Sequence, residues 1–142
     1  MAVFPSDEWL RIYRERITGS PEYRDAAATW EGDICFVFEA EPNKGVPQDL
    51  WAWLDLWHGE CRDARMTTPE EGGRAPYVIR APYTRWKDVL RGDLDPVKGM
   101  MQGKLKLQGD LPTIIRAVRA ANELVHLTMS VPTEFLDEAY AR

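Results

Sequence analysis

The chain has 142 residues, enough for one domain with a core of its own. Its 44% hydrophobic content excludes a disordered chain, and 23 acidic against 18 basic residues, with no dense Lys/Arg run, exclude a nucleic-acid-binding face. No apolar run approaches a membrane span, and Met1-Ala2-Val3-Phe4-Pro5-Ser6-Asp7-Glu8 lacks the basic start and long apolar stretch of a signal peptide, so a cytoplasmic protein is expected.

Ser6 reads as an N-cap, with Asp7 and Glu8 at the positive end of a helix whose apolar stripe is Trp9, Leu10, Tyr13 and Ile17. Gly19 stops it. Ser20-Pro21-Glu22 starts a second helix, with Tyr23, Ala26, Ala27 and Trp30 on one face. After Gly32 the period becomes two. Ile34, Phe36 and Phe38 share one parity of a strand; Cys35, Val37 and Glu39 share the other. Pro42-Asn43-Lys44-Gly45 is turn chemistry. A second strand sets Trp51, Trp53 and Trp57 against Ala52, Leu54 and Leu56, and His58-Gly59 turns a hairpin into residues 61–67. Residues 69–74 read as a polar loop, and Tyr77-Val78-Ile79 as a fourth strand.

Thr84 is the expected cap of a short helix burying Trp86, Val89 and Leu90, ended by Gly92 in a left-handed conformation. Asp95 and Pro96 start another over 97–102, stopped by Gly103. Lys104-Leu105-Lys106-Leu107 alternates as a fifth strand, leucines inward. Asp110 is the expected cap of the longest helix, with Leu111, Ile114, Ile115, Val118, Ala121, Leu124 and Val125 on its apolar face and Arg116, Arg119 and Glu123 on the wet one. Residues 132–141 pattern as a last amphipathic helix with Phe135, Leu136 and Tyr140. Residues 1–142 are therefore read as one α+β domain, a five-stranded, mostly antiparallel, twisted sheet with helices packed on one face.

Little catalytic chemistry is visible. Neither His58 nor His126 has a partner at ligand spacing, and no nucleophile elbow or phosphate-binding glycine loop is present, so no metal or cofactor is expected. Cys35 and Cys61 are expected as reduced thiols. Asp55 shares the parity of Trp53 and Trp57. If that face is buried, Asp55 is a candidate acid/base; if Leu54 and Leu56 face the core, it is solvated. Six Trp, five Tyr and four Phe suit either a bulky core or an aromatic-lined cavity. The candidate cavity residues are Trp86, Leu90, Met100 and Met101 on one wall and Ile114, Ile115 and Val118 on another. Phe36, Phe38 and Trp53 come from the strands, and Phe135 and Leu136 from a C-terminal lid. Met100 and Met101 suit an adaptable wall.

Gly92-Asp93-Leu94-Asp95-Pro96, followed by Met100-Met101-Gln102-Gly103-Lys104-Leu105-Lys106-Leu107-Gln108-Gly109-Asp110, resembles the signature of the sterol carrier protein type-2 domain. The resemblance extends over about residues 20–130. It implies an apolar tunnel between sheet and helices that holds a hydrophobic small molecule or lipid (sterol, fatty acid or fatty acyl), without catalysis. The tryptophans around the second strand depart from the family pattern and point to a narrower tunnel, favouring an acyl chain over a sterol. Arg80, Arg85 and Arg116 are candidates for pairing with a carboxylate head. Transient membrane contact and the oligomeric state stay open. So do two other readings: an enzyme using Asp55 or a tyrosine on an apolar substrate, and a module whose groove holds a helix or its own C-terminus.

Overall fold

The computed structural model describes residues 1–141. A three-residue strand, β1 (Ala2–Phe4), opens the chain and is too short to announce itself by periodicity. Helix α1 (Asp7–Thr18) follows, its first turn closed by the Trp9 N–H donating to the Ser6 hydroxyl at 3.1 Å. Trp9, Leu10, Tyr13 and Ile17 are all buried on one side of it. Helix α2 (Pro21–Ala26) is capped in the same way by Ser20. It ends before Trp30, whose ring packs instead in the following loop against Tyr77, 5.1 Å between centroids.

The main sheet contains β2 (Ile34–Glu39), β3 (Leu50–Trp57), β4 (Glu60–Thr67), β5 (Tyr77–Pro82) and β6 (Lys106–Gln108), in the order β4-β3-β2-β5-β6. Only β2 and β5 run parallel; the other pairs are antiparallel. Ile34, Phe36 and Phe38 of β2 point to the helix layer, with Ala52, Leu54 and Leu56 of β3 and Ile79 of β5. The opposite parity, Cys35, Val37, Trp51, Trp53 and Val78, forms a small outer cluster. A single helical turn, α3 (Pro69–Gly72), covers this cluster where the sequence suggested only a loop. A Cβ on Gly72 would lie 2.7 Å from Cys35 Sγ and 2.8 Å from Trp51 Cε3, so this close approach requires glycine. Both cysteines are buried free thiols.

The outer border of β4 is closed by α1. The Met66 N–H donates to Asp7 Oδ1 at 2.8 Å, the Cys61 N–H donates to Thr18 Oγ1 at 3.2 Å, and Arg14 Nε donates to the Cys61 carbonyl at 3.1 Å.

Helix α4 (Tyr83–Leu90) starts one residue before Thr84. Thr84 is therefore not its cap: its N–H and hydroxyl both donate to Glu41 Oε1, at 2.8 Å each. Helix α5 (Pro96–Met101) is capped by Asp95 Oδ1, which accepts from Val97 N–H and Lys98 N–H. Gly92 and Gly103 take the expected left-handed conformation, with φ of 80° and 73°. The last strand of the sheet starts two residues late, because Lys104 and Leu105 N–H both donate to the Gly99 carbonyl and close α5 first.

The helix expected to run unbroken from Asp110 is two helices, α6 (Leu111–Arg116) and α7 (Val118–Thr128). At Ala117 the backbone leaves the helical region (φ −100°, ψ 27°), and its N–H reaches back only three residues, to Ile114. Asp110 makes no backbone cap; its carboxylate takes the Thr113 hydroxyl instead. Helix α7 is the hub of the layer, touching α1, α2, α4, α5 and α6.

The C-terminal segment also departs from expectation. It is a strand, β7 (Thr133–Phe135), before it is a helix, α8 (Leu136–Ala141). Tertiary pairing overrides the helical pattern: β7 lies parallel to β1, tying the two end segments together. The fully buried Tyr83 fastens both, its hydroxyl donating to Phe4 O at 2.6 Å and accepting from Leu136 N–H at 3.0 Å. Lys87 Nζ reaches Asp137 at 2.8 Å and Glu138 at 2.9 Å, and Arg91 joins Glu138 at 2.7 Å.

Burial pulls the Lys87 pKa down, but the hydrogen bonds to Asp137 and Glu138 outweigh it and leave the ammonium above its ordinary value. The Lys87 hydrogen bond in turn holds Glu138 below the ordinary carboxylate value, against a smaller opposing effect of burial. A depressed carboxylate stabilises the fold above its unfolded pKa, and that contribution is lost as pH falls through the folded value. The clasp should therefore hold at neutral pH and release on acidification below 4.5, the ordinary Glu value. NMR shifts of residues 133–141 should report the release ahead of global unfolding; shifts that stay constant until the whole fold melts would refute it.

Candidate ligand cavity

Between the inner sheet face and the helices lies a cavity of about 100 Å³. The sheet supplies Ile34, Phe36, Phe38, Ala52, Leu54 and Ile79, and α1 supplies Trp9, Leu10 and Tyr13. Trp86, Val89 and Leu90 of α4 and Met100 of α5 form a second wall. Ile114 of α6 and Ala121, Leu124, Val125 and Thr128 of α7 form a third. The Trp86 indole meets Phe36 and Phe38 edge-on, at 5.4 and 5.5 Å.

The polar atoms of these side chains already have partners. Tyr13 OH donates to Leu124 O at 2.7 Å, and Thr128 Oγ1 to Val125 O at 2.6 Å. Trp86 Nε1 donates to Val37 O at 2.9 Å, and Trp9 Nε1 to Thr133 Oγ1 at 2.8 Å. Burial, reinforced by Tyr23 and Cys61, pushes the Tyr13 phenol well above its usual range, so it stays neutral. What the wall offers an occupant is hydrocarbon.

A second void of about 30 Å³ lies beside the first, lined by Tyr23, Trp30, Leu56, Ala117 and Ala120. The two share Ile34, Ile114, Ala121 and Leu124 as lining, so these side chains form the partition between them. The break at Ala117 sits at this partition.

Six of the twelve residues singled out from sequence line the cavity: Phe36, Phe38, Trp86, Leu90, Met100 and Ile114. The other six do not. Consecutive helical residues diverge by about 100°, so Met101 and Ile115 point to solvent where Met100 and Ile114 point in. Val118 is also exposed. Trp53 lies on the outer sheet face, where its indole N–H donates to Asp33 Oδ2 at 2.6 Å under the Arg65 guanidinium. Phe135 and Leu136 belong to the end clasp and do not line the cavity; Phe135 packs at 6.0 Å between centroids on Phe4, which does.

The candidate mouth arginines are elsewhere. Arg80 pairs with Glu39 on the outer face, Arg85 donates to Lys104 O, and Arg116 donates to the Thr113 hydroxyl. Asp55 is held by Arg62 Nε and Nη2, at 3.2 and 3.0 Å, on the face away from the cavity. Sequence reasoning missed the α1 contribution and the small Ala52 and Ala121. The α1 stripe looks the same whether it packs on side chains or on a void.

A sequence profile of the SCP-2 sterol transfer family matches residues 13–121. The chain belongs to the SCP-2 sterol transfer family. A crystal structure of sterol carrier protein 2 is 36% identical, with a TM-score of 0.81 over 89% of this chain and 97% of that one. A conserved hypothetical protein from Thermus thermophilus, described as possibly a sterol carrier protein, is 35% identical with the same TM-score, over 91% of this chain and 90% of its own. The apo form of sterol carrier protein 2 from Yarrowia lipolytica shares the fold at 15% identity and a TM-score of 0.58, over 83% of this chain and 87% of its own. No curated protein matches the chain in sequence. Membership of the SCP-2 family places the chain among domains that bind and transfer hydrophobic lipids. The segment that carries the family signature mainly shapes turns: Gly92, Gly103 and Gly109 all have positive φ, while Pro96, Met100 and Leu105 are its contribution to the cavity wall. No described helix is long and apolar enough to cross a membrane.

Proposed function

We propose that this SCP-2 domain binds and releases a single aliphatic chain, that of a fatty acid or fatty acyl group, between the sheet and the α4–α7 layer, without transforming it. The observation that carries this reading is a cavity walled by hydrocarbon whose polar side-chain atoms are already committed. Such a wall rewards methylenes and offers nothing to a polar group. Tyr13, the one ionisable side chain among the described lining residues, is neutral and donates its proton to a carbonyl, which suits a wall better than a base. The two buried free thiols suit a reducing compartment.

The space is small. About 100 Å³ and about 30 Å³ together fall below the roughly 300 Å³ at which ligand pockets begin. The reading therefore requires the partition to part and the two voids to join, with α6 swinging on α7 at Ala117. A slender flexible chain demands less of this than a fused-ring sterol. Burying roughly a dozen methylenes at about 0.8 kcal/mol each supplies about 10 kcal/mol, against association costs of about 4–15 kcal/mol, which suits micromolar binding and ready release.

Titration with a fluorescent C16 fatty acid tests the reading. Saturable binding near micromolar Kd is expected, with quenching of Trp9 and Trp86, the two tryptophans on the wall. Shortening Ile114 to Ala should join the voids and shift preference by severalfold towards longer chains. Absence of saturable binding, or tighter binding of a fluorescent sterol than of any acyl chain, would refute the proposal.

A further inference from the structure

The turn between α4 and α5 leaves a gap that a side chain from another helix fills. Gly92 closes α4 in the left-handed conformation. A Cβ on Gly92 would stand 2.9 Å from Met129 Cε, so the Met129 methyl occupies the space that the absent side chain leaves. Met129 is the C-cap of α7 and directly follows Thr128, a residue of the cavity wall. The contact therefore ties the C-terminal end of α7 to the α4–α5 connection. Leu90, Pro96 and Val125 line the cavity beside this junction, and all three are only half-buried. Of the sheet residues in the wall, all but Phe36 are buried.

Backbone bonding does not bridge the junction. The N–H groups of Arg91, Gly92, Asp93 and Leu94 donate to carbonyls of α4, those of Lys87, Asp88 and Val89. The N–H groups of Met129 and Ser130 donate to His126 and Leu127 of α7. Apolar packing is left to hold the two sides, and Met129 is its accessible part. At 52% exposure, an oxidant dissolved in solvent reaches this side chain. Thioethers react with hydroperoxides. A sulfur lone pair attacks the peroxide oxygen, the O–O bond breaks and an S–O bond forms. The leaving oxygen takes up the proton and departs as water or an alcohol. Sulfur loses two electrons and the hydroperoxide gains them. The product is a polar sulfoxide in place of a flexible apolar side chain.

We propose that Met129 latches the side of the cavity between α7 and the α4–α5 connection, and that its oxidation by a hydroperoxide releases the latch. The latch is present with the cavity empty or filled, so its loss lowers the barrier to passage in both directions. Entry and exit of a ligand then quicken together, while affinity barely changes. Passage of a ligand rests on the acyl-chain reading above; the latch itself does not.

Stopped-flow binding of a fluorescent C16 fatty acid, and its displacement by unlabelled fatty acid, test the gating. Treatment with hydrogen peroxide should raise both rates of the wild type severalfold, with mass spectrometry placing one oxygen on Met129. Methionine sulfoxide reductase with a thiol should restore them. Met129→Leu keeps an apolar side chain without sulfur and should not respond to peroxide. Met129→Gln, polar and of similar length, should be fast without treatment. Met101, exposed at the other end of α5, remains in both variants as an internal control. Amide exchange of Arg91, Gly92 and Met129 reads the latch without ligand and should quicken in Met129→Gln. An equal peroxide response in Met129→Leu, failure of peroxide to oxidise Met129, or wild-type amide exchange in Met129→Gln would overturn the latch, and normal fatty-acid binding in that event leaves the carrier reading standing. Quickened amide exchange in a protein that binds no fatty acid would keep the latch and sink the carrier reading instead.

Discussion

Ala52→Leu should abolish ligand binding while making the protein more stable. Ala52 lies on the inner face of β3, between Phe36 and Met66 in the strand register, and its methyl lines the cavity. Leu adds three carbons to Ala, and a void of about 100 Å³ has room for them without overpacking. The added side chain meets only hydrocarbon, so no polar group is stranded. Filling a pre-existing hole typically gains about 0.5–2 kcal/mol, and affinity for a C16 fatty acid should fall at least tenfold. Thermal unfolding and fluorescence titration on the same sample check both signs. A variant that binds like wild type would place the ligand elsewhere, and one that is clearly destabilised would mean the hole is not there to fill.

Lys87→Met should cost the protein a large share of its stability although it removes only one side chain near the surface. Lys87 is only 9% exposed, and its ammonium faces Asp137, whose Oδ1 has no hydrogen-bond partner among the described residues. Removing the cation leaves a mostly buried carboxylate uncompensated. Breaking such a pair from one side costs about 3–5 kcal/mol; the lower end, about 3 kcal/mol, is expected because solvent reaches part of the network. Urea denaturation should show this as a shift in midpoint. The double variant Lys87→Met/Asp137→Leu should recover most of the loss, because no orphaned charge remains. If the single variant stays within about 0.5 kcal/mol of wild type, the clasp contributes no more than an ordinary solvated side chain does.

The strands were legible because they declare themselves by parity, but parity alone left open which face is inside: Leu54 and Leu56 alternate with Trp53 and Asp55, and only the structure turns the leucines to the helix layer and Asp55 to the outer face. The helix starts at Ser6, Ser20 and Asp95 were legible for a similar reason, since a cap is a local hydrogen bond. What stayed hidden depends on distant partners. Residues Thr133–Phe135 become a strand only because Ala2–Phe4 lie beside them, and three residues carry no period. The break at Ala117 has no glycine or proline to mark it. Half of the candidate residues do not line the cavity, because choosing between Met100 and Met101, or Ile114 and Ile115, needs the rotation of a helix to within one residue. Trp53 lies away from it because its parity is that of the outer sheet face.

The border that α1 closes on β4 has a consequence for how crowded this protein can become. Open sheet margins recruit further strands and seed fibrils. Here Asp7, Arg14 and Thr18 occupy the backbone groups that such recruitment needs, and the opposite margin, β6, is three residues long and flanked by lysine. Replacing Asp7 with Ala should bare the Met66 N–H and raise the tendency of this border to recruit a further strand, which light scattering of concentrated samples would register.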